Sequence, residues 1–517
     1  MLTLPLARRA RLKVTPTRFG AIAAVTLALL TGGSAAAPAW ASRSAKVPHA
    51  PTYTPTFERG ACAAGMPNDP RVECGVLTVP ENRNRPQGAQ VRLPVAIVRS
   101  DAAAKAPDPI VLLVGGLGDP AFLILPYVLG ANLGGPRDVI AISQRGAAAS
   151  TPNLDCPELA DATWARFATA DPAAVEQRRY DDAVRACRAR LRTNGADPNS
   201  YNTITNAADI ADLRVALGLR EWNLWGLSYG TVLAQEIMRD HPDGLRSVVL
   251  DSMATLNGGR GGTAAIHQAM DSIQRLVDGC AASPACAAAH PTLARDLKDV
   301  VVALDTHPYQ SVVTDPDTGT ARPIAITGRD VISGVATLSS NASLIPLFPQ
   351  LVSQLKAGQY GTIDVLASML ITPLFRGSDG MALSVTCSDR GRIDVRSGLR
   401  SLLAAHPEYE AVPSGSIAAC PTWRVRPVPR SFNQPVTSAI PTLVLAGEWD
   451  SNTPAKSARH AAKHLKRSSF VELPGLGHVV VRPDNSCAQS LLQGFFANPA
   501  QRPDTTCVGQ LPEPAWS

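Results

Sequence analysis

A serine lies at the centre of a Gly-x-Ser-x-Gly motif, Gly226 to Gly230, in this chain of 517 residues. The apolar run 222–225 precedes the motif, and a helix-forming stretch, 231–239, follows it. In such a strand–turn–helix the serine hydroxyl projects from a strained turn, and the flanking glycines let the strand and the helix approach closely. The pattern predicts that Ser228 is a nucleophile. The alternative is an ordinary glycine-rich turn between a strand and a helix.

A serine hydroxyl is a poor nucleophile at neutral pH, so it needs a base, and the base needs an orienting acid. In folds with this motif the acid and the histidine follow the serine in that order. Asp450 follows the late apolar run 441–446, and His478 lies on a glycine-rich loop after the next apolar run. These two residues are our predicted acid and base. Glu448 competes for the role of the acid, and Asp450 could instead be a residue at a helix start.

The tetrahedral intermediate of acyl transfer needs hydrogen-bond donors for its oxyanion. One predicted donor is the backbone N–H of Tyr229, directly after the nucleophile. The others are expected in the glycine-rich loop 115–120, at Gly116 and Leu117. This loop does not match a phosphate-binding loop, because no Lys-Ser or Lys-Thr pair follows it.

Short apolar runs typical of buried parallel strands recur along the chain. They cover residues 109–114, 138–142, 222–225, 247–250, 442–446 and 470–473. Helices are predicted over 207–217, over 231–239, and from Thr453 as N-cap and Pro454 to about 465. This alternation indicates an α/β fold with a mostly parallel sheet and helices on both faces. Residues 91–98 predict a further strand, in which Pro94 favours an edge or a bulge.

The alternation of strands and helices stops in a long segment that we interpret as a largely helical cap, inserted before the last strands. The N-terminal segment has the pattern of an export signal, described below. The predicted division is 1–41 signal peptide, 42–60 flexible lead-in, 61–256 first part of the core, 257–435 cap, and 436–517 C-terminal part of the core.

The first 41 residues carry five of the six net positive charges and no acidic residue. An apolar run, 20–30, follows these charges, and Ala39-Trp40-Ala41 fits a signal-peptidase site. We therefore expect a protein that is secreted or located in the periplasm or cell envelope, through the Sec or the twin-arginine route. An uncleaved membrane anchor is the alternative, but the apolar run is shorter than the roughly 20 residues that span a bilayer.

The ten cysteines agree with export, because an even number in an exported chain favours disulfides. Pairing of consecutive cysteines is our hypothesis, although other pairings remain open from the sequence alone. A zinc site is not predicted, since neither CxxC nor HExxH occurs. His460 and His464 have the spacing of metal ligands on a helix, but without a third ligand a solvated helix face is favoured.

These segments together resemble the secreted α/β-hydrolases of the proline iminopeptidase and tripeptidyl aminopeptidase group. The resemblance is carried by WNLWGLSYGTVLA at 222–234, GEWDSNTPAKSA at 447–458 and PGLGHVVVRPDNSC at 474–487. It implies an α/β-hydrolase fold and a triad of Ser228, Asp450 and His478. It also implies a peptidase whose cap supplies acidic groups for the α-ammonium of the substrate.

One segment departs from the family pattern. The family's oxyanion loop usually reads Gly-Gly-Pro-Gly, and iminopeptidases place a histidine before it, whereas here Val114 precedes Gly-Gly-Leu-Gly. The departure bears on the substrate class. In the cap region, Asp389, Glu408 and Glu410 are possible ammonium ligands, but we interpret them as solvated surface charges.

The sequence therefore predicts a secreted serine hydrolase, an aminopeptidase that works through an acyl-enzyme and needs no cofactor or metal. The alternative is a carboxylesterase or amidase acting on small esters or amides. A binding protein that kept the fold without the activity is the rival from another class. Nucleic-acid partners are not expected, because the chain after the signal is nearly neutral and only 5% aromatic. No stable membrane anchor is expected after signal cleavage.

Overall fold

The computed structural model describes residues 53–256, 263–315, 318–364, 367, 377–390, 396–410 and 418–516. The predicted signal peptide and most of the predicted lead-in lie outside these residues. The strands are β1 (Thr56–Gly60), β2 (Val72–Pro80), β3 (Gln90–Val98), β4 (Ile110–Leu113), β5 (Val139–Ile142), β6 (Trp222–Leu227), β7 (Leu245–Asp251), β8 (Tyr309–Thr314), β9 (Ala321–Ile326), β10 (Thr442–Gly447) and β11 (Ser468–Leu473).

The described helices alternate with these strands in both halves of the core and also fill the segment between β7 and β10. They are α1 (Leu125–Gly130), α2 (Pro157–Thr169), α3 (Ala173–Thr193), α4 (Thr203–Ala216), α5 (Tyr229–Asp240), α6 (Thr263–Ala282), α7 (Pro284–Ala289), α8 (Leu293–Thr306), α9 (Gly328–Leu338), α10 (Phe348–Lys356), α11 (Asp379–Asp389), α12 (Arg396–Ala405), α13 (Cys420–Trp423), α14 (Ala455–Ala462) and α15 (Ser486–Ala497).

The main sheet has nine strands in the order β1-β2-β3-β5-β4-β6-β7-β10-β11. Six neighbouring strands, β5, β4, β6, β7, β10 and β11, pair in parallel, whereas β1, β2 and β3 form an antiparallel extension at one side. The predicted mostly parallel sheet is therefore confirmed. Because parallel strands end at one edge, the loops after β4, β6, β7, β10 and β11 lie along the same side of the molecule.

Helices cover both faces of the sheet, as expected for parallel strands that are buried on both sides. Residues of β10 alternate between two apolar clusters: Val444 belongs to the cluster that contains residues of α4, α5 and α14, whereas Leu443 and Leu445 belong to the cluster that contains residues of α1 and α15. The continuous apolar run in the sequence thus reflects a strand whose two faces both meet helices.

The predicted edge or bulge position of Pro94 is wrong, because β3 lies between β2 and β5. Proline fits there for a local reason. The ladder between β3 and β5 begins only at Val95, which pairs with Ile142, so no strand partner faces the missing N–H. The Pro94 carbonyl accepts a hydrogen bond from Ser143 N at 2.9 Å, just beyond the end of β5.

The segment between β7 and β10, where the sequence predicts the cap, carries α6 to α13 and a two-stranded antiparallel sheet, β8–β9. It has an apolar cluster of its own, which includes Ile266, Leu276 and Phe348. Trp164 and Phe167 of α2 belong to this cluster as well. The division at 257 and 435 remains a prediction, and residue 257 is outside the described part of the chain.

Five disulfides join consecutive cysteines, the same pairs that the sequence suggested. They are Cys62–Cys74, Cys156–Cys187, Cys280–Cys286, Cys387–Cys420 and Cys487–Cys507. Several disulfides in one chain are typical of proteins that fold in oxidising compartments. Among the described residues, we find no helix with the length and apolar character needed to cross a membrane.

Candidate active site

The predicted nucleophile lies on a sharp turn between β6 and α5. Ser228 has φ 52° and ψ −117°, a conformation that residues other than glycine rarely adopt. Strain of this kind is typical of functional turns, and here it projects the serine from the carboxyl edge of the sheet. The Ser228 N–H donates to the Asp251 carbonyl at 3.0 Å, which ties the turn to the end of β7.

Two glycines allow this turn to lie close to its neighbours. A Cβ at position 230 would overlap the Leu113 carbonyl oxygen at the end of β4. A Cβ at position 115 would come within 2.6 Å of the Ser228 Cβ, so the loop after β4 lies directly against the serine. The residue types of the Gly-x-Ser-x-Gly motif and of the Gly-Gly loop are therefore required by close backbone packing.

Replacement of Gly230 by alanine is expected to prevent folding or to lower the free energy of unfolding by about 3 kcal/mol or more, because the neighbouring atom is rigid backbone. The matched control is Gly494→Ala on the exposed side of α15, where a Cβ would meet no atom within 4 Å. That variant should gain about 0.5–1 kcal/mol through helix propensity. Urea unfolding with intact disulfides measures both, and equal stabilities would contradict the packing argument.

The predicted acid and base are in contact. The Asp450 Oδ2 lies 2.9 Å from the His478 Nδ1, and the Asp450 side chain is buried. Its other oxygen accepts hydrogen bonds from the N–H groups of Asn452 and Thr453, both at 2.8 Å. This geometry fixes the tautomer of the ring and leaves the Nε2 atom for a second partner.

The charge of Asp450 follows from competing effects. Burial raises the pKa of this carboxyl, but the charge of His478 and hydrogen bonds from His478 and Thr453 lower the pKa by more, so the net shift is downward. Asp450 is therefore ionised at neutral pH and stabilises an imidazolium at His478.

The competing acid, Glu448, has other partners. Its Oε2 accepts the Gly475 N–H at 3.1 Å, and its Oε1 lies 3.6 Å from the Arg275 guanidinium. Thr453 also differs from the prediction. The N-cap of α14 is Pro454, and the Thr453 hydroxyl donates to Asp450 at 2.6 Å instead.

The loop that carries His478 is held on two sides. The His478 N–H donates to the carbonyl of Ser340, after α9, at 2.7 Å, and the following N–H groups bind the end of β7. Ser228 is tied to that same strand end. No hydrogen bond joins the Ser228 hydroxyl to His478 among those of the described residues, and catalytic pairs without substrate are often held this loosely.

The predicted oxyanion donors lie around the serine. Tyr229 is the first residue of α5, at the positive end of the helix dipole. Gly116 has φ +73°, and a Cβ there would overlap the Asp119 carboxylate. Leu117 follows in the same loop, whose Gly118 carbonyl accepts two N–H groups at 3.2 Å. The loop is thus well fixed beside the nucleophile, while the oxyanion role stays a prediction.

The interpretation of Asp389 as a solvated charge is wrong. Asp389 is buried and accepts hydrogen bonds from the Thr203 N–H at 3.2 Å and from the Thr203 hydroxyl at 2.5 Å. The Thr203 hydroxyl also lies 2.7 Å from the Tyr229 hydroxyl, so this acid supports the residue behind the nucleophile. Glu408 and Glu410 are at the surface, beside His406 and Arg329.

Two further residues near the site were not predicted. Asp251 ends β7 and Ser252 follows it; both are fully buried and bind the backbone of the His478 loop. The sequence signal that could have identified them was an acidic residue at the carboxyl end of β7, the strand beside β6, which leads to the nucleophile.

Comparisons with known proteins give consistent matches. The model of the α/β hydrolase fold family matches residues 108–275, and the TAP-like protein model matches residues 407–507. Serine protease Hip1 of Mycobacterium tuberculosis is 23% identical over 453 residues, covering 82% of this chain and 84% of that protein.

Two further matches carry peptidase names. Tripeptidyl aminopeptidase of Streptomyces lividans is 26% identical over 274 residues, covering 48% of this chain and 50% of that protein. The crystal structure of proline iminopeptidase from Mycobacterium smegmatis matches with 17% identity and a TM-score of 0.40, covering 82% of this chain and 98% of that one.

Proposed function

Since the chain belongs to the α/β-hydrolases and carries a TAP-like region, we propose that it is a serine aminopeptidase that uses Ser228, His478 and Asp450. The observation that carries the proposal is the 2.9 Å contact of Asp450 with His478, on a loop bound to the same strand end as the Ser228 turn. These are the parts that nucleophilic acyl transfer requires.

In the proposed reaction the His478 Nε2 accepts the proton of the Ser228 hydroxyl while the Ser228 oxygen attacks the carbonyl carbon of the scissile bond. Backbone N–H groups of Tyr229 and of the Gly116–Leu117 segment bind the oxyanion. His478 then donates its proton to the leaving amine, and the acyl group remains on the serine. Water, deprotonated by His478, hydrolyses this ester and restores the enzyme.

The preference for free N-termini is supported by the relative named tripeptidyl aminopeptidase. Export is part of the proposal as well. It is supported by the basic and apolar N-terminal segment and by the five disulfides.

The test compares kcat/KM for a tripeptidyl anilide that has a free amine with kcat/KM for its N-acetylated twin. An ammonium paired with a carboxylate in a desolvated site is worth several kcal/mol, so we expect the free amine to be preferred by about 100-fold or more. Equal turnover, or better turnover of the acetylated twin, contradicts the aminopeptidase assignment and favours an esterase or amidase. Ser228→Ala supplies the background rate for both substrates.

A further inference from the structure

The end of β7 contains a carboxylate that the proposed reaction does not use. Asp251 is fully buried, and its two oxygens accept the N–H groups of Val480 at 2.9 Å and Val481 at 3.0 Å. Val480 and Val481 lie two and three residues after His478. Both carboxylate oxygens therefore accept hydrogen bonds from the backbone of the loop that carries the predicted base. The ring of His478 is held by Asp450 instead.

The next residue makes a similar contact. The Ser252 hydroxyl accepts the Val479 N–H at 2.8 Å. Ser252 has φ 56° and Val479 has φ 62°. A positive φ is a true outlier for a β-branched residue such as valine. Such conformations persist only where the surroundings hold them in place, and they concentrate at functional sites.

Asp251 also holds the turn of the nucleophile. The Asp251 carbonyl accepts the Ser228 N–H at 3.0 Å, and Asp251 pairs with Leu227 of β6 and Leu445 of β10. The Ser252 N–H donates to the Leu445 carbonyl at 2.9 Å. One strand end therefore joins the turn of the nucleophile, the loop of the base and the strand that leads to the acid.

We propose that Asp251 and Ser252 are positioning residues that set the distance and angle between His478 and Ser228. The inference rests on the proposed function, because it assigns these residues to the same reaction. Asp251 acts through the backbone of Val480 and Val481 and does not exchange protons with substrate. Other contacts of this loop, such as those of Ser340 with the His478 N–H and of Glu448 with the Gly475 N–H, hold the loop at or before His478, whereas Asp251 and Ser252 bind the three residues that follow it.

The charge of Asp251 adds a pH dependence to this role. Burial raises the pKa of Asp251 to about 6, although hydrogen bonds from Val480 and Val481 and the charge of His478 oppose the rise, while Asp450 adds to it. Asp251 is therefore ionised above about pH 6 and becomes protonated below it. In a protonated carboxyl the hydroxyl oxygen is a weaker acceptor than a carboxylate oxygen, so one of the two N–H contacts is weakened on the acid side.

The test uses two variants and a matched control. Asp251→Asn keeps the size of the side chain but turns an NH₂ group towards one of the two N–H donors. Ser252→Gly removes the hydroxyl while favouring the positive φ, so the fold is not strained further. The control is Ser247→Ala on the same strand, which removes a buried hydroxyl that donates to Asn223 at 2.6 Å.

We expect both variants to lower kcat by about 10- to 100-fold with KM nearly unchanged, because small displacements of a catalytic group have effects of this size. In Asp251→Asn the acid limb of kcat/KM should move to lower pH, since the variant neither titrates near pH 6 nor stabilises the imidazolium. The control should keep kcat within about twofold of the wild type, whatever its thermal stability.

The proposal is overturned if Ser252→Gly keeps the kcat of the control, or if Asp251→Asn folds with unchanged kcat and an unmoved acid limb. If Asp251→Asn does not fold, Ser252→Gly decides alone. The proposed function is tested separately. If it is wrong, Ser228→Ala keeps full activity, whatever the variants at Asp251 and Ser252 show.

Discussion

The Ser228→Ala variant is expected to lose about 10⁵- to 10⁶-fold in kcat, the size of loss seen when the nucleophile of a serine hydrolase is removed. The physical reason is that no other atom on the turn can form the covalent bond to the acyl carbon. Substrate binding and the oxyanion donors would remain, so KM should change little and some residual rate over water should persist.

The measurement is steady-state hydrolysis of a peptidyl anilide by the purified variant. Ser247→Ala is a suitable control, because it removes a buried serine hydroxyl from the neighbouring strand without touching the site. Retention by Ser228→Ala of activity within about tenfold of the wild type would show that another residue is the nucleophile.

The Asp450→Asn variant is expected to lose about 10⁴-fold in kcat. The amide would turn an N–H donor or a neutral oxygen towards the His478 Nδ1, which removes the charge that stabilises the imidazolium and permits the wrong tautomer. The Thr453 contacts that also hold this side chain should preserve the fold, and thermal unfolding at pH 7 should confirm it.

The control for this prediction is Glu448→Gln, two residues away. Its carboxylate binds Gly475 N–H and lies near Arg275, so we expect its kcat to remain within about threefold of the wild type. A larger loss in Glu448→Gln than in Asp450→Asn would reverse the assignment of the acid.

The order of serine, acid and histidine could be predicted because each follows an apolar run that forms a parallel strand. The carboxyl ends of such strands share one edge, so residues far apart in sequence must meet there. The glycines around Ser228 were equally informative, because close backbone approach leaves no room for a side chain at Gly230.

Other features depend on contacts that a sequence does not display. Asp251 looks like any acid after a strand until the His478 loop is seen to bind it. Asp389 lies in a segment read as surface, yet it pairs with Thr203 more than 180 residues earlier in the chain. Pro94 predicted an edge or a bulge because proline lacks the N–H of a ladder, and the sequence does not display that the β3–β5 ladder begins only at Val95.

The central claim is that Ser228 is an activated nucleophile, and covalent labelling with a fluorophosphonate tests it most directly. Trypsin should release residues 221–239, a peptide whose only serine is Ser228. The account predicts that the reagent adds its mass to this peptide, that hydrolysis stops as labelling proceeds, and that Ser228→Ala takes up no label there. Hydrolysis that continues without labelling of this peptide, or loss of activity through labelling elsewhere, would contradict it.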